Sequence, residues 1–215
     1  MNSDLNPYLA SIGINVYFER KSKVKHPDFE FILISALRLA NSKKDSKLLS
    51  LILSWSHTYA DYLIPEKLKK TFDRSKTLNE DRLYYNIFYI YCFEVLKIHK
   101  FQKLIDHKTS GYLTEIRKDN IAIQMKGEEE WSLKYNIHIP CGSLRIRESD
   151  IVPIKVLAKN NDQLNNRLLI GANWRADIIT EIERGGENAY QISKKLGCSY
   201  EPVNRIMKQY FLVAS

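Results

Sequence analysis

The chain has 215 residues, of which 44% are hydrophobic and 27% charged, a composition typical of a folded globular protein and not of a disordered one. Its formal net charge of +8 favours a negatively charged partner, either nucleic acid or an acidic protein, although a lysine-rich surface carries the same charge without such a role. Three widely separated cysteines without a CxxC pair argue against a disulfide framework and against a thiolate zinc site.

The first half of the chain is predicted to be helical. Its opening residues lack a basic start followed by a continuous apolar run, so we expect no secretory signal and a cytoplasmic protein. From residue 27 to about residue 105 the apolar residues recur at helical spacing, which predicts four or five helices. Asp45 is suited to cap the second helix, and Pro65 fits the first turn of the third. We assign residues 1–109 to a helical domain.

The helix predicted from Glu80 to about His99 is apolar on nearly every side. Because neighbours must cover such a helix all round, we expect it at the centre of the helical domain. A ligand pocket or a dimer seam is the alternative use of its aromatic side chains. Polar residues interrupt the apolar stretch, which is shorter than the roughly 18 to 20 residues that span a bilayer, so we expect no membrane contact.

Residues 110–166 are predicted to form a small β-rich region. Short runs with alternating apolar residues, at 112–116, 120–125, 131–139 and 143–147, are typical of strands. Turn-forming residues such as Gly127 and Gly142 separate these runs, and hairpins are the shortest connections between them. The pattern therefore predicts a small antiparallel sheet between two helical regions, and an α+β fold overall.

The last part of the chain, residues 167–215, is predicted to form three short helices. The first runs from about Asn173 to Arg184 with its isoleucines on one face, and the second from Ala189 to Leu196. Gly197 can adopt the positive φ of a sharp turn, and Ser199 is suited to cap a third helix over 200–209. Three amphipathic helices within about forty residues indicate a compact tri-helical module.

The segment AYQISKKLGCSYEPVNRIMKQY, residues 189–210, resembles the helix-turn-helix superfamily of DNA-binding proteins. It has a positioning helix, a glycine turn and a recognition helix in the family's order, with the small Ser193 where the two helices cross. The resemblance covers about a fifth of the chain. It implies that the third helix enters the major groove of double-stranded DNA.

The resemblance also implies roles for individual residues. On the third helix, Asn204 and Arg205 are the best candidates to bind base edges, because asparagine and arginine can donate or accept two hydrogen bonds at adenine and guanine. The outward residues of this helix are predicted to face DNA, namely Tyr200, Glu201, Asn204, Arg205 and Lys208. Residues suited to phosphate contacts are Ser199, Gln191, Lys194 and Lys195. Residues 189–210 contain four basic residues against one acidic residue, a local net charge of +3.

We expect this module to lack a wing and to act in a homodimer. Only residues 211–215 follow the predicted third helix in the sequence, too few for a pair of strands. One such unit contacts few base pairs, and two-fold symmetric dimers are the usual way to extend a binding site. We expect the dimer contact in the helical or β-rich region.

No catalytic or cofactor site is predicted. The five histidines are dispersed, and none lies at metal-binding spacing with another histidine or a cysteine. The acidic run at 128–130 follows a predicted turn and is typical of a solvated surface. Linear signatures of nucleotide binding and of hydrolases are missing, so we expect neither an enzyme, nor a cofactor, nor a bound metal.

These patterns together predict a sequence-specific DNA-binding regulator of transcription. The alternative is a protein-interaction module of the antitoxin type, whose N-terminal region binds a protein partner while the C-terminal helices control its own promoter. A partner encoded nearby would favour the alternative.

Overall fold

The computed structural model describes residues 5–15, 24–75, 82–113, 121, 123–186 and 188–214. In chain order, the α-helices whose bounds are described are α1 (Leu5–Ser11), α2 (Phe29–Lys43), α3 (Ser46–Tyr59), α4 (Pro65–Ser75), α5 (Leu83–Glu94), α6 (Glu130–Leu133), α7 (Ile154–Ala158), α8 (Asp162–Ile170), α9 (Trp174–Glu183), α10 (Ala189–Leu196) and α11 (Tyr200–Ala214). Short 3-10 helices lie at Ala60–Tyr62, His99–Leu104 and Glu148–Asp150. Among the described helices, none is long and apolar enough to cross a membrane.

Helices α3 and α4 begin where the sequence predicts. The Asp45 carboxylate accepts hydrogen bonds from the backbone N–H groups of Lys47 and Leu48 at 3.0 Å, which starts α3. Pro65 is the first residue of α4, where its missing N–H has no helical partner to lose. The expected helical character of this part of the chain is confirmed.

Helix α5 lies at the centre of the larger apolar core. Every residue from Leu83 to Cys92 is buried, including the aromatic rings of Tyr84 and Phe88. Side chains of α2, α3 and α4 cover it, and Trp131 stacks edge-on against Tyr91 with ring centroids 5.4 Å apart. The expectation that this helix forms core is therefore confirmed, but its predicted bounds are too wide, because the helix begins at Leu83 and ends at Glu94 and residues 95–98 are described as non-helical.

The antiparallel sheet predicted within residues 110–166 is wrong. Two strands of two residues each, β1 (Gly111–Tyr112) and β2 (Ile137–His138), pair in parallel. Of the other predicted strands, 143–147 is irregular, and 131–139 begins in helix α6 and contains only the two strand residues of β2. Residues 114–120 and 122 lie outside the described residues, and the described remainder of the predicted strand 120–125 is helical.

The alternation of apolar and polar residues that predicted strands does reflect which side chains are buried. Tyr135, Ile137 and Ile139 are buried, while Asn136 is exposed and His138 is half-buried. Of these residues, Ile137 and His138 form β2, whereas Tyr135 and Asn136 lie in a turn in which Asn136 has φ +54°. The alternation therefore reflects which side chains are buried against the helical core and not the length of a strand. The region is therefore mainly a covering layer on the helical core. The fold is α+β with few strand residues.

A second, smaller apolar core lies in the C-terminal helices, made by Ile178, Ile182, Ala189, Ile192, Leu196, Val203 and Ile206. Trp174 and Tyr210 pack on its margin. The division of the chain into domains at residues 109 and 166 stays a prediction, and the second of these positions lies inside α8.

Candidate nucleic-acid interface

The C-terminal module consists of α9, α10 and α11, and its local sequence explains each boundary. Asn173 and Asn188 cap α9 and α10, because their side-chain oxygens accept hydrogen bonds from backbone N–H groups three residues on. Gly197 ends α10 with φ +74° and ψ +27°, the left-handed conformation that glycine adopts without strain. Helix α11 extends to Ala214, beyond the predicted 200–209.

The two faces of α11 have opposite character. Val203 and Ile206 point into the smaller core, where they are 0% and 8% exposed. On the other side Tyr200 is 52% exposed, and Arg205 and Lys208 are also exposed. The core thus fixes the rotation of the helix about its axis, and the polar face is turned to solvent.

All the residues predicted to contact DNA lie on α10, on α11 or at the turn between them. Ser199 and Glu201 are exposed, and Asn204 is half-buried. On α10, Gln191 and Lys194 are exposed. On α11, residues 200, 201, 204, 205 and 208 share one side of the helix by their spacing, and we call this side the α11 face, formed by Tyr200, Glu201, Asn204, Arg205 and Lys208.

Lys195 differs from the other basic residues of the module. Its ammonium forms an ion pair with the carboxylate of Glu181, a residue that is 5% exposed. In the part of the chain that the structure describes, Lys194, Arg205 and Lys208 form no ion pair. A phosphate contact by Lys195 would compete with Glu181, whereas the other three cations are available to a ligand.

A cluster of buried charges joins the module to the helical region. The Arg167 side chain on α8 is fully buried and donates two hydrogen bonds of 2.8 Å to Glu30 on α2. It donates two more, of 2.7 and 2.8 Å, to Asp177 on α9, and one of 2.7 Å to the carbonyl of Tyr62. Each of the five guanidinium N–H groups thus has an acceptor.

Lys67 on α4 completes this cluster, which we call the charged seam. Its ammonium lies 2.6 Å from both Asp28 and Asp177, and 3.3 Å from Glu30. Burial alone would raise the pKa of the Asp177 carboxyl, but the charges of Arg167 and Lys67 outweigh burial and lower its pKa well below the usual range. Asp177 therefore stays ionised, and α9 is held to α2, α4 and α8 by charge-assisted hydrogen bonds.

A second set of contacts holds the far end of α9. Arg184 donates hydrogen bonds to Asp162 at 2.5 and 2.7 Å, and one of 2.8 Å to Glu181. The residues of both clusters come from distant parts of the chain, and the sequence analysis assigned none of them a role. The seam fixes the orientation of the α11 face relative to the helical region.

The sequence analysis also missed two cations of α4. Lys70 and Arg74 lie against the turn at Gly197, although more than a hundred residues separate them in the chain. The one available signal is their spacing with Lys67, since positions i, i+3 and i+7 share one face of a helix. That spacing shows a basic stripe but does not identify the surface on which it packs.

Within the described residues, no group of three His, Cys, Asp or Glu side chains is placed to hold a metal ion. No family model, no curated protein and no solved structure matches the chain, so its function has to be inferred from its own residues.

Proposed function

We propose that this protein binds double-stranded DNA in a sequence-specific manner through α10 and α11 and regulates transcription. The observation that carries the proposal is the α11 face, a solvent-exposed helical surface with an arginine and an asparagine that the smaller core holds outward. A helix fits the width of the major groove, where arginine and asparagine distinguish guanine and adenine. Lys194 and Lys208 supply positive charge for the phosphates.

The proposal is tested by selecting duplexes from a randomised library with the whole protein. Affinity is then measured by fluorescence anisotropy for the selected duplex and for a scrambled duplex of equal composition. Arg205→Ala should reduce the preference for the selected duplex by about 1–3 kcal/mol, roughly five- to 150-fold. Lys194→Ala should weaken both duplexes alike and flatten the salt dependence of binding.

Lys159→Ala is the matched control, because Lys159 is exposed at the end of α7, outside the module. It should leave both affinities unchanged. Selection that enriches no duplex would contradict the proposed function. Equal losses on every sequence from Arg205→Ala and Lys194→Ala would contradict the separate roles of these residues.

The proposal includes a cytoplasmic location and a homodimer. The homodimer is proposed because one module contacts few base pairs. Sedimentation of the protein at micromolar concentration, with and without the selected duplex, measures its mass. A monomeric mass under both conditions would contradict the dimer.

A second candidate function is binding of a protein partner by the region before α9, as in an antitoxin. It is favoured by Ile121 and Met125, which are 61% and 80% exposed, are both helical and stand at i and i+4 in the sequence. Solitary exposed apolar residues are common, but a pair on one helical face is suited to a protein contact. Met125→Glu should abolish co-purification of a partner encoded by a neighbouring gene and leave DNA binding intact.

A further inference from the structure

The second half of α4 packs against the turn that leads into α11. The Lys70 ammonium donates a hydrogen bond of 3.0 Å to the carbonyl of Gly197 and lies 5.2 Å from the centre of the Trp174 ring. The Arg74 guanidinium occupies the space where a Cβ at residue 197 would lie. A helix of the N-terminal region thus places two cations directly beside the C-terminal module.

Arg74 differs from Arg167 and Arg184, two arginines near the module that are paired with carboxylates. Its side chain is exposed, and within the described part of the chain it forms neither a hydrogen bond nor an ion pair. Arg167 and Arg184, by contrast, are each bound to two carboxylates. The guanidinium of Arg74 therefore presents its donors beside the turn, with no acceptor among the described residues.

The charged seam holds the helix that carries Arg74. Lys67, on the same face of α4 two turns earlier, is 2.6 Å from Asp177 of α9. The α4 backbone at residue 74 and the module are consequently held together, while the Arg74 side chain extends from this backbone beside the turn that leads into α11. Lys69 and Lys70 add positive charge to the same stretch of α4 against the single acid Asp73.

We propose that Arg74 contacts a backbone phosphate of the duplex that α11 binds, so that the DNA interface is shared between the N-terminal region and the C-terminal module. This inference rests on the proposed function. When the N-terminal end of a helix enters the major groove, the phosphates that border the groove lie beside that end. Arg74 is held at the turn that leads into this end of α11, and a guanidinium can bind a phosphate with two parallel hydrogen bonds.

The shared interface makes a prediction for salt dependence. Arg74→Ala should reduce the steepness of log K against log salt concentration by about 0.9, the value for one phosphate contact. Affinity at 0.15 M salt should fall about fivefold, and equally for the selected and the scrambled duplex, because phosphate contacts carry no sequence information. Arg205→Ala should instead reduce the difference between the two duplexes.

The experiment titrates the whole protein with both duplexes at several salt concentrations and compares wild type, Arg74→Ala, Arg74→Lys and Arg145→Ala. Arg145 is an exposed arginine outside α4 and the module, so its loss should leave the salt dependence unchanged. Arg74→Lys keeps the charge and should retain the wild-type steepness.

Two results would overturn the inference. The first is a salt dependence of Arg74→Ala equal to that of wild type. The second is an equal reduction of the steepness of the salt dependence in Arg74→Ala and Arg74→Lys, because lysine keeps the charge that a phosphate contact needs. If wild type itself binds no duplex, the proposed function fails, and this outcome is distinct from a failure at residue 74.

Discussion

The helical region and the C-terminal module are stabilised in different ways. The helical region surrounds α5 with a continuous apolar core, whereas the module has a small core between three short helices. The two are joined chiefly by charged groups, with Arg167 and Lys67 bound to Glu30 and Asp177. Apolar burial stabilises each region without fixing a direction, while the geometry of charge-assisted hydrogen bonds fixes the orientation of one region on the other.

The largest loss of unfolding free energy is expected from Arg167→Ala, which removes the main contact between the two regions. The change leaves Glu30 and Asp177 buried without their main partner, and breaking a buried ion pair in this way costs about 3–5 kcal/mol of unfolding free energy. Urea unfolding followed by circular dichroism measures the loss. Arg145→Ala, at an exposed arginine, should change the free energy by less than about 0.5 kcal/mol. Equal results for both variants would mean that the apolar cores alone hold the two regions together.

The second-largest losses of stability are expected from truncations in the two apolar cores, which can be compared directly. Ile52 and Ile178 are both fully buried, the first in the larger core and the second in the smaller one. Truncation to alanine costs about 2–5 kcal/mol, and the cost is greatest where the neighbours cannot relax into the cavity. We expect Ile52→Ala near the top of this range and Ile178→Ala near the bottom, measured as urea midpoints. The reverse order would show that the module packs more rigidly than the helical core.

The smallest effect concerns two glycines with nearly the same backbone conformation. Gly197 in the module has φ +74°, and Gly127 in the covering layer has φ +75°. Alanine at either position should cost about 1–2 kcal/mol for the left-handed conformation. A Cβ at residue 127 meets nothing within 4 Å, and the three atoms nearest to one at residue 197 all belong to the flexible end of Arg74. Thermal unfolding should therefore show similar losses, and a much larger loss for Gly197→Ala would indicate that Arg74 cannot move aside.

Local signals in the sequence predicted the helices of both regions well. The bounds of α10 agree with the prediction because Gly197 ends the helix with its own backbone conformation and no distant residue is needed. The start of α3 depends in the same way on Asp45. The outward position of Arg205 also followed from sequence, since the apolar spacing of Val203 and Ile206 determines which side of the helix faces the core.

The strand predictions for residues 110–166 failed because they depended on which element each segment packs against or pairs with. Alternating burial at Tyr135, Ile137 and Ile139 is visible in the sequence, but the same pattern fits a hairpin or an extended segment packed on helices. Pairing of β2 with β1 joins residues 26 positions apart in a parallel register, which no turn signal encodes.

By itself, the sequence determined the starts of α3, α4 and α11, both ends of α10, and which basic residues lie on α11, because these properties depend on neighbours within one or two helical turns. The tertiary structure alone decided that Arg167 meets Glu30, 137 positions away, and that Arg74 lies at the turn before α11. Contacts of this kind depend on how completed helices pack against one another. The free energy of a charged side chain depends on how deeply it is buried, and that depth is determined only when the helices have packed.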